Sequence, residues 1–426
     1  MRIAGDRSPG DVFAGAVWER ISVTEQGRPM VPLEEALAIV ERSLGGISVV
    51  GETLAVAEAL GRTLVSDQVS GLDLPPFDKS AMDGYAVLAG DNRSEYRLLE
   101  TVRAGEVPRA RLEPGTTVKV MTGAAVPAGA ARVIRLEDTR RKGNVICVLK
   151  HGKLSNICPR AEDVRRGSVI LKAGTAIGPL ELANLVACGI TRVEVSRRAR
   201  IAILSTGDEI VDSPEQLVEG KIMNSNAPML ASLAWQFAMD VVAREWVPDD
   251  LAATTSAIRR ALEAADIVVL SGGVSVGDFD YVGRALGEAG LAVHFTEVAV
   301  KPGRPMTYAS EPGKAVFGLP GNPVSVYLMF HVFVLRAAAK MTGGVWPCRE
   351  FTMPLGRDFH RRKADRAEYV PCRVGADGRL ESVECHGSAH LAALTQADGF
   401  FLVPVGRADL GAGSAVRFMP VAKGWK

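Results

Sequence analysis

Four apolar runs, Ile201-Ala-Ile-Leu, Ile267-Val-Val-Leu, Val298-Ala-Val and Ala315-Val-Phe, are continuous rather than alternating. That is the pattern of strands buried on both faces. Each leads into a Gly- or Pro-containing loop. The loops are Ser205-Thr-Gly-Asp-Glu209, Ser271-Gly-Gly-Val-Ser-Val-Gly277 (running on to Asp280), Lys301-Pro-Gly-Arg-Pro305 and Leu319-Pro-Gly-Asn-Pro323. Apolar positions recur at helical spacing over residues 227–239, 251–265, 281–289 and 323–340. Alternating strands and helices predict a doubly wound, parallel α/β domain over residues 198–342, covered on both faces. Ligands of such sheets sit outside the carboxyl ends of the strands. All four strand ends are therefore expected to share one anionic-ligand crevice.

Elsewhere the pattern is different. Residues 1–27 have weak periodicity and are expected to form a mobile extension. Residues 32–44 predict an amphipathic helix with Leu33, Ala36, Leu37, Ile39 and Val40 on one side and Gly45-Gly46 as its stop. A short helix is expected near residues 56–60, and another over 178–188, with Pro179 near its start and Gly189 after it. Residues from about 70 to 163 alternate and are rich in Gly and Pro, which predicts a small β-rich domain. From about residue 345 the helical period is lost and a compact β domain is expected. The apolar stretch 324–335 carries His331 and precedes Arg336; at that length it predicts a core helix rather than a bilayer span.

Composition narrows the picture. A chain of 426 residues implies two to four domains. Lys+Arg 50 against Asp+Glu 49 gives no overall attraction to nucleic acid or to an acidic membrane. The basic clusters Arg140-Arg-Lys142 and Arg361-Arg-Lys363 read as solvated turns. The six cysteines form no C-x-x-C pair, and no H-E-x-x-H occurs, so structural zinc and a disulfide framework are not expected. The beginning of the chain lacks a secretory pattern, and a cytoplasmic protein is expected.

The loops carry the chemistry. Gly207 permits a tight turn that displays Asp208 and Glu209 at a strand end. The glycines of 271–277 allow close backbone approach to a ligand, and their N–H groups suit an anion. Lys301 and Arg304 are cations for a phosphate or oxyanion. Pro323 fits the first position of a helix and leaves free N–H groups ahead of it. No Walker A and no G-x-G-x-x-G sequence occurs, so the crevice carries no standard nucleotide fingerprint. Outside the α/β block, Asp78 and Asp83 flank a Ser-Ala-Met stretch in a Pro- and Gly-bounded loop, a donor set that suits Mg²⁺. Met121-Thr-Gly-Ala124 and Glu162-Asp163 are similar candidates.

Taken together, Glu58-Ala-Leu-Gly-Arg-Thr-Leu64, Pro76-Phe-Asp-Lys-Ser-Ala-Met-Asp-Gly-Tyr85, Met121-Thr-Gly-Ala124 and the four loops above resemble the molybdenum insertases, the MoeA proteins and the E domain of gephyrin. The resemblance runs in family order over roughly residues 30–425. It implies an elongated helical domain from residues 28–68 and 164–197, with a β-rich lid (69–163) inserted into it. The α/β molybdopterin-binding domain (198–342) and a β-barrel-like C-terminal domain (343–426) follow. It also implies a homodimer whose site lies between the α/β domain of one subunit and the lid of the other.

The implied reaction is Mg²⁺-dependent insertion of molybdate into adenylylated molybdopterin, with release of AMP. Asp83, Thr122, Glu209 and Asp280 are the implied catalytic groups, and Asp83, Asp163, Glu209 and Asp280 the implied metal ligands. The implied pterin contacts are Ser205, Thr206, Gly207, Ser271, Gly272, Gly273, Ser275, Gly277, Lys301, Arg304, Pro320, Asn322 and Pro323. A transient contact with a molybdopterin adenylyltransferase is also implied. Alternative readings are such an adenylyltransferase, or a non-catalytic molybdopterin carrier or scaffold. The chain departs from the family pattern at Lys79, Ala131-Arg132, Cys158-Pro159, Ala161 and Arg304, mostly in the lid.

Overall fold

The computed structural model describes residues 30–273, 281–384, 387 and 389–421. The chain divides into two compact units, Gly51–Val195 and Met1–Val50 with Ser196–Lys426.

The larger unit is built on a six-stranded sheet. Its order is Asp240–Val247, Arg200–Thr206, Ile267–Ser271, Lys314–Leu319, Thr307–Glu311, Ala292–Phe295. The first four strands are parallel, and the last two run antiparallel to their neighbours, so the sheet is mixed rather than wholly parallel. The continuous apolar runs have the predicted consequence. Ile201, Ile203, Ile267, Val269 and Phe317 pack into one hydrophobic cluster, while Ala202, Leu204, Val268, Leu270 and Val316 pack into another. Successive strand residues point to opposite faces, so each run serves two cores. Helices Leu251–Ala264 and Val282–Glu288 cover the second face; Asn226–Gln236 and the helical segment 323–341 cover the first.

Two expectations are corrected in this unit. Val298-Ala-Val does not supply a strand of the central sheet. Val300–Lys301 instead pairs in parallel with Ala367–Val374, in a second sheet completed by Gly399–Val403, Ala415–Pro420 and Phe351–Pro354. An apolar run reports burial, and either sheet satisfies it. Helix Leu33–Ser43, expected to belong with residues 164–197, packs Leu33, Ala36, Leu37 and Val40 into the first cluster beside Leu335 and Ala338. The helix expected over residues 323–340 is present. Pro323–Met329, a π-helical turn at Phe330–Val334 and Leu335–Met341 make 19 helical residues, enough by length and composition to cross a bilayer. Its side chains are committed elsewhere: Val326, Leu328, Met329, Phe330 and Phe333 are fully buried in the core.

At the amino edge of the central sheet, Asp266 gathers cations. It accepts from Arg197 at 2.7 and 3.0 Å, from the Arg200 backbone N–H at 2.8 Å and from the Arg200 side chain at 3.2 Å. Burial pushes its pKa up, but these hydrogen bonds outweigh it and hold the carboxyl below its ordinary value of 3.8. A depressed carboxyl contributes stability that is present above the unfolded pKa and lost as pH falls through the folded value. Asp266→Asn is expected to cost about 2–4 kcal/mol at neutral pH, because it leaves two arginines without their anion. Its melting midpoint should also depend less on pH below about 4 than the parent's, as followed by circular dichroism.

The smaller unit carries a six-stranded sheet in the order Ala130–Arg135, Gly84–Leu88, Thr116–Val120, Glu95–Val102, Val145–Val148, Thr139–Lys142. Its core includes Ala86, Val102, Val118, Val120 and Val133. A separate cluster of Val56, Leu64, Ile177, Leu185, Val193 and Val195 joins the segments on either side of that sheet. Those segments are less helical than expected. They hold one α-helix, Pro179–Ala187, and a 3₁₀ turn, Val56–Glu58. Two strand pairs accompany them, Gly51–Ala55 with Arg192–Ser196 and Gln68–Val69 with Val169–Leu171. Short β-branched stretches such as Val193-Glu-Val195 find partners far along the chain, which local periodicity does not disclose.

Candidate active site

Three of the four loops follow adjacent parallel strands. Register places Ser205 beside Ser271, and Ser271 beside Leu319, so the loops after them start level with one another. Gly272 has φ +99°, and its N–H donates to Leu319 O at 3.0 Å. A Cβ there would lie 2.7 Å from Thr206 O, so the close approach of the 206 and 272 backbones requires glycine. Asn226, at the start of helix Asn226–Gln236, donates to Ser271 Oγ and to Gly321 O, both at 2.7 Å. One amide thus ties two loops together, and its own buried Oδ1 has no partner among the described residues. Sequence reasoning missed Asn226; the signal was a polar residue opening an apolar helix.

Gly207 adopts φ +125° and turns the chain so that Asp208 and Glu209 are exposed. Trp246 Nε1 donates to Gly207 O at 3.0 Å, and Lys221 Nζ donates to Asp208 O at 2.6 Å, fixing the turn from two sides. Pro323 opens helix Pro323–Met329 at its first position, as expected. Ser275, Gly277 and Asp280 lie outside the described residues.

The Lys301 loop reaches the site by another route. A pocket of about 830 Å³ brings Lys301, Arg304, Pro320 and Asn322 together, with Glu297, Arg366 and Glu368 also in its wall. Lys301 Nζ lies 2.7 Å from Glu368 Oε1, and Arg304 lies 3.4 Å from Glu297 Oε1. Glu368 is also 3.3 Å from Arg361. Arg361 corrects the solvated-turn reading of residues 361–363. It is buried and donates to the carbonyls of Pro404, Arg366 and Arg407 at 2.7–2.8 Å, which anchors the loop. Arg366 and Glu368 were invisible in the sequence because they lie just before and on strand Ala367–Val374 of the C-terminal sheet, more than sixty positions from Lys301.

In the smaller unit, Asp83 and Thr122 come together. Asp83 Oδ1 accepts from the Thr122 N–H at 2.6 Å and from Thr122 Oγ1 at 2.7 Å. The antiparallel pairing of Gly84 with Val120 sets the two turns opposite each other. The Thr122 side-chain and backbone hydrogen bonds hold the Asp83 carboxyl below its usual range, so it stays ionised near neutral pH. Asp78 accepts from the Arg160 N–H at 2.7 Å, the bond of a capped turn. Asp163 is exposed and its N–H donates to Leu74 O at 2.9 Å. Among the described residues, no three His, Cys, Asp or Glu side chains gather as a metal-holding group.

A mixed α/β sheet with three level, backbone-permissive loops and a charged pocket has the architecture of an α/β enzyme with a crevice at its strand ends. Family models agree along the chain. Residues 31–189 match the MoeA N-terminal region (domain I and II), residues 202–340 a probable molybdopterin binding domain, and residues 352–421 the MoeA C-terminal region (domain IV). The molybdopterin molybdenumtransferase of Staphylococcus aureus (strain Mu50) is 34% identical over 331 residues, covering 76% of this chain and 78% of the relative. That of Staphylococcus epidermidis (strain ATCC 12228) is 35% identical over 294 residues, covering 67% and 70%. The crystal structure of the molybdopterin biosynthesis moeA protein from Pyrococcus horikoshii OT3 superposes with a TM-score of 0.80 at 30% identity, covering 92% of this chain and all of that one. The chain belongs to the MoeA family of molybdopterin molybdenumtransferases, enzymes of molybdenum cofactor biosynthesis.

Proposed function

We propose that this chain inserts molybdate into adenylylated molybdopterin in a Mg²⁺-dependent step that releases AMP. The observation that carries this reading is the pocket in which Lys301 and Arg304 meet Pro320 and Asn322. It joins cations from one loop to the end of a parallel strand, where an anionic substrate would lie. The loops at 205–207, 271–277 and 320–323 would hold the pterin and its phosphate through backbone N–H groups. Lys301 and Arg304 would balance anionic charge, which is the main electrostatic problem when two anions must meet.

Asp83, Asp163, Glu209 and Asp280 offer only carboxylate oxygens, the donors Mg²⁺ prefers, and Asp83 keeps Oδ2 free of the bonds to Thr122. Bound there, Mg²⁺ would polarise the phosphoanhydride and offset charge on the leaving AMP. Thr122 would hold the Asp83 carboxylate in one orientation. In this reading the chain acts as a cytoplasmic homodimer. Each site is shared between the α/β loops of one subunit and the lid of the other, with transient delivery of substrate from a molybdopterin adenylyltransferase.

The test is AMP release from adenylylated molybdopterin by purified protein with Mg²⁺, with and without molybdate. Release that requires molybdate and yields active cofactor supports the reading. Adenylylation of free molybdopterin with ATP, without molybdate-dependent AMP release, would overturn it in favour of an adenylyltransferase. Tight pterin binding with neither activity would leave a carrier.

A further inference from the structure

In the 830 Å³ pocket each loop cation faces a carboxylate of its own. The two carboxylates are not equivalent. Glu368 uses both oxygens, Oε1 on Lys301 and Oε2 on Arg361, and therefore helps to anchor the surrounding loops. Glu297 is 3% exposed and places Oε1 3.4 Å from Arg304, while its Oε2 is buried with no hydrogen-bond partner among the described residues. A half-paired buried carboxylate is costly to the fold. Nor is it needed to hold the loop, since Arg304 O already accepts from the N–H groups of Val298 and Met306 at 3.0 and 2.9 Å. Its consequence is electrostatic: a fixed negative charge behind Arg304, which is one-third exposed to the pocket.

We propose that Glu297 is an affinity-limiting counter-ion. It competes with an incoming tetrahedral oxyanion for Arg304 and so keeps anion binding at this pocket weak and reversible. The inference rests on the reading that the pocket holds the anionic part of the substrate. It deepens that reading by giving the pocket an internal competitor, which a group-transfer site needs if its product is to leave.

The experiment is calorimetric titration of the full-length protein with molybdate, sulfate and inorganic phosphate, each alone. A unit charge a few ångströms from the anion, at an effective dielectric constant near 20, is worth more than a factor of ten. Glu297→Gln is therefore expected to bind each oxyanion about tenfold more tightly, with an unchanged or higher melting midpoint. Adding Arg304→Ala should abolish the gain. A merely structural role predicts the opposite sign: weaker binding and a lower midpoint, because Arg304 loses its anchor. Glu297→Met, apolar and of similar length, should give the same sign as Glu297→Gln. Unchanged or weaker affinity overturns the proposal, as does failure of both variants to fold. Absence of anion binding in every form also overturns it, while AMP release still judges the transferase reading separately.

Discussion

Asp83→Ala is expected to lower molybdate-dependent AMP release by about a hundredfold or more while the fold is retained. Asp83 is only partly buried, and among the described residues its carboxylate bonds Thr122, through the N–H and the hydroxyl. Removing it frees one exposed turn and opens no cavity. The catalytic loss should therefore appear in kcat at saturating substrate, with the far-ultraviolet spectrum and the unfolding midpoint close to the parent's. Thr122→Val, which keeps the backbone N–H bond and loses the hydroxyl, is expected to fall between the two. Full turnover by Asp83→Ala would remove Asp83 from the site.

One residue further on, the expected result inverts. Gly84→Ala should destabilise the smaller unit by about 3 kcal/mol or more. A Cβ on Gly84 would overlap the Ile134 carbonyl oxygen and lie 2.6 Å from Val133 Cγ1. Both atoms belong to Ala130–Arg135, the neighbouring strand in the sheet. Backbone cannot swing aside as a side chain can, so either the sheet shifts or the strand pair opens. Chemical denaturation should show the midpoint falling for the transition that includes Gly51–Val195. An unchanged midpoint would mean that this strand pair has more room than its geometry allows. Neighbouring positions thus separate function from folding: losing a carboxylate silences the chemistry, and gaining a methyl group breaks the scaffold.

Legibility in the sequence followed burial. Runs such as Ile201-Ala-Ile-Leu and Ile267-Val-Val-Leu announced their strands because both faces are covered, and helix 251–264 announced itself through its periodic stripe. Asp240–Val247, at the edge of the sheet, has a largely exposed pattern and escaped notice; Thr307–Glu311 is buried and escaped it for another reason, since Thr-Tyr-Ala-Ser-Glu contains no continuous apolar run. Site residues divided in the same way. Asp83 and Thr122 lie in distinctive loops and were found together. Asn226, Glu297, Arg366 and Glu368 sit in unremarkable local sequence and became visible only through what they face.

The sequence by itself determined the local chemistry. Glycines at 207 and 272 permit conformations closed to other residues, Pro323 sets a helix start, and Lys301 and Arg304 place charge on a short loop. Those properties depend on a residue and its immediate neighbours. Tertiary structure alone decided which sheet receives Val300–Lys301, which core receives helix Leu33–Ser43, and which carboxylate stands against each cation. An apolar residue requires burial and a charge requires a partner, but neither requirement names the distant segment that meets it.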